Sequence, residues 1–133
     1  KLLSRVRPTF SMSLGFNAKA LSRNEDVVRA YERDPKVHCR ASVRWGMESL
    51  KTIEWVKAHA AHWTLPLLLV HGGADKVSSP QGSRWLFDRI QIEDKTLEIY
   101  PGVFHEPHND LDREKLVDDV LQWLSRHLDV NGT

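Results

Sequence analysis

Asp75 and His105 are the two residues of this chain whose types could work together as a catalytic pair. A carboxylate and an imidazole are two of the three groups that activate a hydroxyl nucleophile. The imidazole takes the hydroxyl proton; the carboxylate fixes the imidazole tautomer and stabilises its charged form. Thirty residues separate the two, so folding must bring them together. The third group is absent: no Gly-x-Ser-x-Gly occurs anywhere. Gly82-Ser83 falls early in an expected helix, and Ser11 and Ser13 lack the glycines that let a strained turn expose a serine.

Each residue has a plainer reading. Asp75 follows Gly72-Gly73, where Asp favours a turn. His105 is one of seven histidines, and His108 is a rival base three residues further on. His105, His108 and Asp110 could suggest a metal, but no helical His-x-x-x-His pair or thiolate cluster accompanies them, so no metal and no cofactor are expected. His71-Gly72-Gly73 is similar to the oxyanion runs of some lipases and esterases. Those runs precede a serine, whereas this one precedes an Asp, so His71 is expected to be a strand-end residue with a satisfied ring. Glu106 reads as a supporting or surface group. Cys39 follows His38, but neighbours in a regular element point different ways, so Cys39 reads as small and buried or pocket-lining.

Positioning Asp75 and His105 falls to the second half of the chain. Leu65 to Val70 is an unbroken apolar run, the pattern of a strand buried on both faces, and it leads directly into Asp75. Ser79-Pro80 then supplies an N-cap with Pro at the first helical position, opening a helix that carries Trp85, Leu86, Phe87 and Ile90. Lys95 to Tyr100 alternates as a strand with one wetter face, broken by Pro101-Gly102. A loop through His105 follows. Asn109 or Asp110 is expected to cap a last helix with Leu116, Val117, Val120, Leu121, Trp123 and Leu124 on its inner stripe. Two strands joined by a crossover helix pair in parallel with a right-handed connection. Functional loops of open parallel sheets sit at the strands' carboxyl ends, which puts Asp75 and His105 on one edge.

The first half reads differently. Ser22-Arg23-Asn24-Glu25 has the form of a capping box, and Asp34-Pro35 ends the helix it opens. A longer helix is expected from Ser42 to about His62. Phe10, Met12, Leu14 and Phe16 alternate as in a short strand, but Pro8 and Gly15 favour an irregular, partly buried loop. The five tryptophans read as core.

The run Leu65-Pro66-Leu67-Leu68-Leu69-Val70-His71-Gly72-Gly73-Ala74-Asp75 resembles the acid-bearing strand and turn of monoacylglycerol lipase-like hydrolases, relatives of the lysophospholipases and of the serine aminopeptidase S33 group. Asp94 to Glu106, with Tyr100-Pro101-Gly102-Val103-Phe104-His105, is similar to that family's last strand and histidine loop. Asp34-Pro35 and the helix after it resemble the family's cap. The resemblance implies an α/β class and a partial α/β-hydrolase fold: a helical cap region followed by the last two parallel strands and their helices. Residues 1–64 would be the cap or lid with its connecting helix, and residues 65–133 the C-terminal part of the core. Asp75 would be the triad acid and His105 the triad base, with the serine outside this chain. The implied activity is hydrolysis of a small lipid-like carboxylic ester, with amide or peptide hydrolysis and an inactive or binding piece as the alternatives. The chain alone is expected to be inactive, marginally stable or associating, and to need its N-terminal half for a complete site.

Bulk properties exclude other classes. A net charge of +1 selects neither nucleic acid nor an anionic membrane. A single cysteine excludes an internal disulfide. The longest apolar run is too short to span a bilayer. The chain does not begin with Met, so Lys1 is expected not to be a native start, and no signal peptide is visible. The expected location is the cytoplasm or the membrane periphery, with any membrane contact made through the cap.

Overall fold

The computed structural model describes residues 2–128. Lys1 and residues 129–133 of the expected second half lie outside the described residues.

The second half builds a two-stranded parallel sheet. Strand β3 (Leu67–Gly72) pairs with β4 (Lys95–Tyr100) in the register Leu67 to Lys95 through Gly72 to Tyr100. Helix α4 (Pro80–Arg89) is the crossover between them, capped by the Ser79 hydroxyl on the Gln81 amide, with Pro80 opening the helix as expected. Helix α5 (Arg113–His127) is the last helix among the described residues. Side chains alternate across a strand. Leu67 and Leu69 therefore face the α4 side, where they border Leu86 and Ile90. Val70 faces the α5 side and packs on a core of Tyr100, Val103 and Leu116, joined by Val120. The Lys95 ammonium donates to the carbonyls of Phe87 and Ile90, satisfying the C-terminal end of α4 and tying it to the start of β4.

The first half holds α1 (Leu2–Val6), a short antiparallel pair of β1 (Ser11–Ser13) with β2 (Arg40–Ser42), α2 (Glu25–Arg33) and α3 (Val43–His59). Ser42 caps α3 by accepting from the Trp45 amide, and a 3-10 turn, Ala60–His62, extends it to the expected limit.

Five expectations need correction. The segment around Met12 is a strand, because its alternation finds a partner in Arg40–Ser42 29 residues on, and Phe10, Met12 and Leu14 are exposed. Asn24, not Ser22, caps α2; the Ser22 hydroxyl accepts from the Asn24 amide and donates to Asn109 O instead. Neither Asn109 nor Asp110 caps α5; Asp112 occupies that position, and Asp110 is turned inward. Trp45, Trp55 and Trp63 are exposed, as are Val117, Leu121 and Leu124 on α5. Strand β3 is likewise half-buried along most of its length rather than buried on both faces. Among the described residues it pairs on one edge only, which leaves its other edge without a partner strand. On the α4 face of β3 a cavity of about 600 Å³ is lined by Trp55, Val56, Trp63, Leu69, Leu86 and Ile90.

Candidate active site

Asp75 and His105 meet beyond the carboxyl ends of β3 and β4. The two strand exits stay zipped past the sheet: the Gly73 amide donates to Tyr100 O at 2.7 Å and the Ala74 amide to Val103 O at 2.9 Å. This close approach needs Gly72, since a methyl group there would lie 1.9 Å from Phe104 O. Gly102 turns the His105 loop with φ of +75°, a left-handed value that costs glycine nothing.

His105 Nδ1 lies 2.9 Å from Asp75 Oδ2, with the Asp75 side chain 1% exposed and the His105 ring 34% exposed. The second carboxylate oxygen, Oδ1, accepts from the Val77 amide at 2.7 Å and the Ser78 amide at 3.0 Å. Burial raises the carboxyl's proton affinity. The His105 ring and the Ser78 and Val77 amides outweigh it, so the carboxyl sits below its ordinary pKa and stays ionised at neutral pH. An ionised carboxylate requires His105 to donate through Nδ1. That leaves Nε2 as the nitrogen able to take a proton, and among the described residues no group hydrogen-bonds it.

His108 lies exposed on the 3-10 turn Pro107–Asn109, and no contact joins it to Asp75. His71 keeps the satisfied ring expected of it: Nδ1 lies 2.7 Å from Ser83 Oγ, and Nε2 lies 3.1 Å from both Ser78 O and Asp75 Oδ2. Glu106 accepts from Asn109 Nδ2, and its amide donates to Leu21 O. No grouping of three or more metal-ligating side chains occurs among the described residues.

Three partners of the pair escape a reading by motif. Ser78 donates through Oγ to Asp75 Oδ2 at 3.1 Å; the Asp-x-x-Ser spacing is its only trace in sequence. Arg23 and Asp110 brace the His105 loop from behind. Asp110 accepts from the amides of Phe104, Leu111 and Arg23 and from Arg23 Nε. The His105 amide itself reaches Ala20 O at 3.4 Å. The loop is thus held by the segment before α2, a contact across more than 80 residues that no local pattern announces.

A parallel strand pair joined by a crossover helix, with a buried acid after the first strand and a histidine after the second, has the architecture of part of an α/β-hydrolase. The crystal structure of a monoacylglycerol lipase from Paleococcus ferrophilus superposes with a TM-score of 0.90 at 37% identity, over 96% of this chain and 50% of that one. The family model described as serine aminopeptidase, S33, matches residues 1–112, and the chain belongs to that family. It is 36% identical to the monoacylglycerol lipase of Mycolicibacterium smegmatis, over 96% of this chain and 46% of that protein. It is 32% identical to the monoglyceride lipase of Homo sapiens, over 100% of this chain and 45% of that protein. The chain spans about half the length of the relatives it matches.

Proposed function

We propose that this chain is the acid-and-base half of a serine hydrolase acting on carboxylic esters of the monoacylglycerol or lysophospholipid class. The observation that carries the proposal is the Asp75–His105 pair. A buried, ionised carboxylate receives Nδ1, and no described residue hydrogen-bonds Nε2. A serine hydroxyl brought to Nε2 would lose its proton to His105 as it attacks the ester carbonyl. His105 would then return that proton to the leaving alkoxide, and a water activated in the same way would release the fatty acid. Backbone amides outside this chain would hold the oxyanion. No cofactor or metal enters this chemistry.

The same proposal assigns residues 1–64 to a cap over the acyl pocket and requires a further half of the protein. The half-buried β3 with its open edge, and the apolar cavity beside it, support a surface made to be covered. The exposed Phe10, Met12, Leu14, Trp45 and Leu50 support contact of the cap with lipid, and no described helix is long and apolar enough to cross a membrane. The chain by itself would be inactive.

The test is Asp75→Asn in the full-length protein assayed on a monoacylglycerol. Turnover should fall by about 10⁴-fold as the tautomer of His105 is lost; turnover like the wild type's would refute the assignment. Amide hydrolysis is the second reading, favoured by the family description as a serine aminopeptidase. A faster reaction on an aminoacyl amide than on the matching ester would select it.

A further inference from the structure

We propose that His71 is a positioning residue for the Asp75–His105 pair, acting as a relay that aims the carboxylate and is itself aimed by Ser83. The proposal rests on the reading of Asp75 and His105 as acid and base.

The carboxylate oxygen that receives His105 receives His71 as well. His71 Nε2 lies 3.1 Å from Asp75 Oδ2 and 3.1 Å from Ser78 O. Both neighbours accept and neither can donate, so the ring proton on that side must sit on Nε2. Ser83 Oγ, 2.7 Å from Nδ1, is a hydroxyl free to turn its proton toward the ring. The chain of donation then runs from Ser83 to His71 Nδ1, and from His71 Nε2 to Asp75 Oδ2. Each link polarises the next in a poorly hydrated site.

His71 is unsuited to be the base itself. Both its ring nitrogens are engaged and its side chain is 15% exposed, against 34% for His105 with Nε2 open. Its place in the fold suits a fixed donor. It stands on β3 four residues before Asp75, with its ring joined to Ser83 on α4 and to Asp75 beyond the strand. A carboxylate can rotate about its own bond. The Val77 and Ser78 amides hold Oδ1, and His71 with the Ser78 hydroxyl holds Oδ2 in the plane facing His105. Sharing Oδ2 with His71 also draws charge from it, which weakens its pull on the His105 proton.

The experiment uses the full-length protein and a monoacylglycerol ester, with His71→Leu, His71→Gln and Ser83→Ala beside the wild type. A glutamine amide can donate to Asp75 and accept from Ser83; leucine can do neither. His71→Leu should lower kcat by about tenfold with KM unchanged, the loss of one charge-assisted hydrogen bond at the reacting pair, and move the acid limb of the pH–kcat/KM profile upward. His71→Gln should recover kcat to within about threefold, and Ser83→Ala should fall between. Equal losses in His71→Leu and His71→Gln, or wild-type kcat and pH profile in His71→Leu, would overturn the relay. Ring nitrogen NMR of the wild-type protein tests it without turnover. A proton on Nε2 with Nδ1 unprotonated is expected, and a proton on Nδ1 would overturn it. A wild-type protein that cleaves no ester but shows the expected tautomer overturns the functional reading and leaves the geometry of the relay standing.

Discussion

Arg23 and Asp110 stand 87 residues apart in sequence and 2.7 Å apart in the fold, guanidinium Nε to carboxylate Oδ1. The Asp110 side chain is fully enclosed. Burial alone would push its carboxyl up; the amides of Phe104 and Leu111 and the Arg23 side chain reverse this and hold it below the ordinary carboxylate range. Because Phe104 precedes His105, the pair fixes where the His105 loop starts. Asp110→Ala would leave Arg23 Nε and the amides of Phe104, Leu111 and Arg23 without this acceptor, while Arg23 Nη2 keeps Asp112. It should cost about 3–5 kcal/mol in chemical denaturation, the range for breaking a buried ion pair. Arg23→Met should cost less, since the three amides still neutralise the carboxylate. An Asp110→Ala loss below that of Arg23→Met would show that the acid is not the centre of this brace.

Gly72 and Gly102 should respond unequally to alanine. At Gly102 the added methyl meets nothing within 4 Å, and the only penalty is the left-handed φ of +75°, about 1–2 kcal/mol. At Gly72 the methyl would meet Phe104 O at 1.9 Å and Val103 O at 2.6 Å, backbone atoms that can yield only if the two strand exits part. Gly72→Ala should therefore separate Asp75 from His105. It should abolish turnover of the full-length protein at a substrate level where Gly102→Ala retains it. Thermal melts of both variants check the ranking of stability. Retained activity in Gly72→Ala would mean that the strand exits need not approach so closely.

Much of this site was legible because it is local. The run into Asp75, the Ser79-Pro80 start of α4 and the alternation of Lys95 to Tyr100 each carry their own signal, and together they put the acid and the histidine on one sheet edge. What was not legible is non-local. Ser22 has the form of a cap, but its hydroxyl goes to Asn109 O across 87 residues, and Asn24 takes the cap. Asp110 looked like a cap for α5, but its carboxylate goes instead to the amide and Nε of Arg23, 87 residues back, and to the nearby amides of Phe104 and Leu111. Apolar periodicity likewise marks which residues avoid water without saying what covers them. Trp45, Trp55 and Leu121 read as core and are exposed among the described residues.

His127 gives the fold a pH dependence that runs opposite to that of its carboxylates. Its Nδ1 lies 2.6 Å from Trp123 O, and its Nε2 lies 2.9 Å and 3.0 Å from the two oxygens of Asp94. Both ring nitrogens face acceptors, so the charged, doubly protonated ring is the form that fits. The ring also stacks on Trp123 at 3.8 Å, which favours a cation. The Trp123 carbonyl, then Asp94, raise its pKa above the usual histidine value, against a smaller effect of burial and of nearby Arg126. The sign follows from linkage. Stabilisation is fully present below the unfolded histidine value of about 6.5 and is lost as pH rises through the higher folded value. Asp75 and Asp110 have lowered values, so their contribution is complete above the ordinary carboxylate range and lost only in acid. They are constant across the window in which His127 titrates. The melting temperature of the wild type should therefore exceed that of His127→Ala by most below the unfolded histidine value of about 6.5, and the gap should narrow as pH rises through the higher folded value. A gap that stays constant across that range would mean that the ring holds α5 to Asp94 as a neutral group and that its charge contributes nothing.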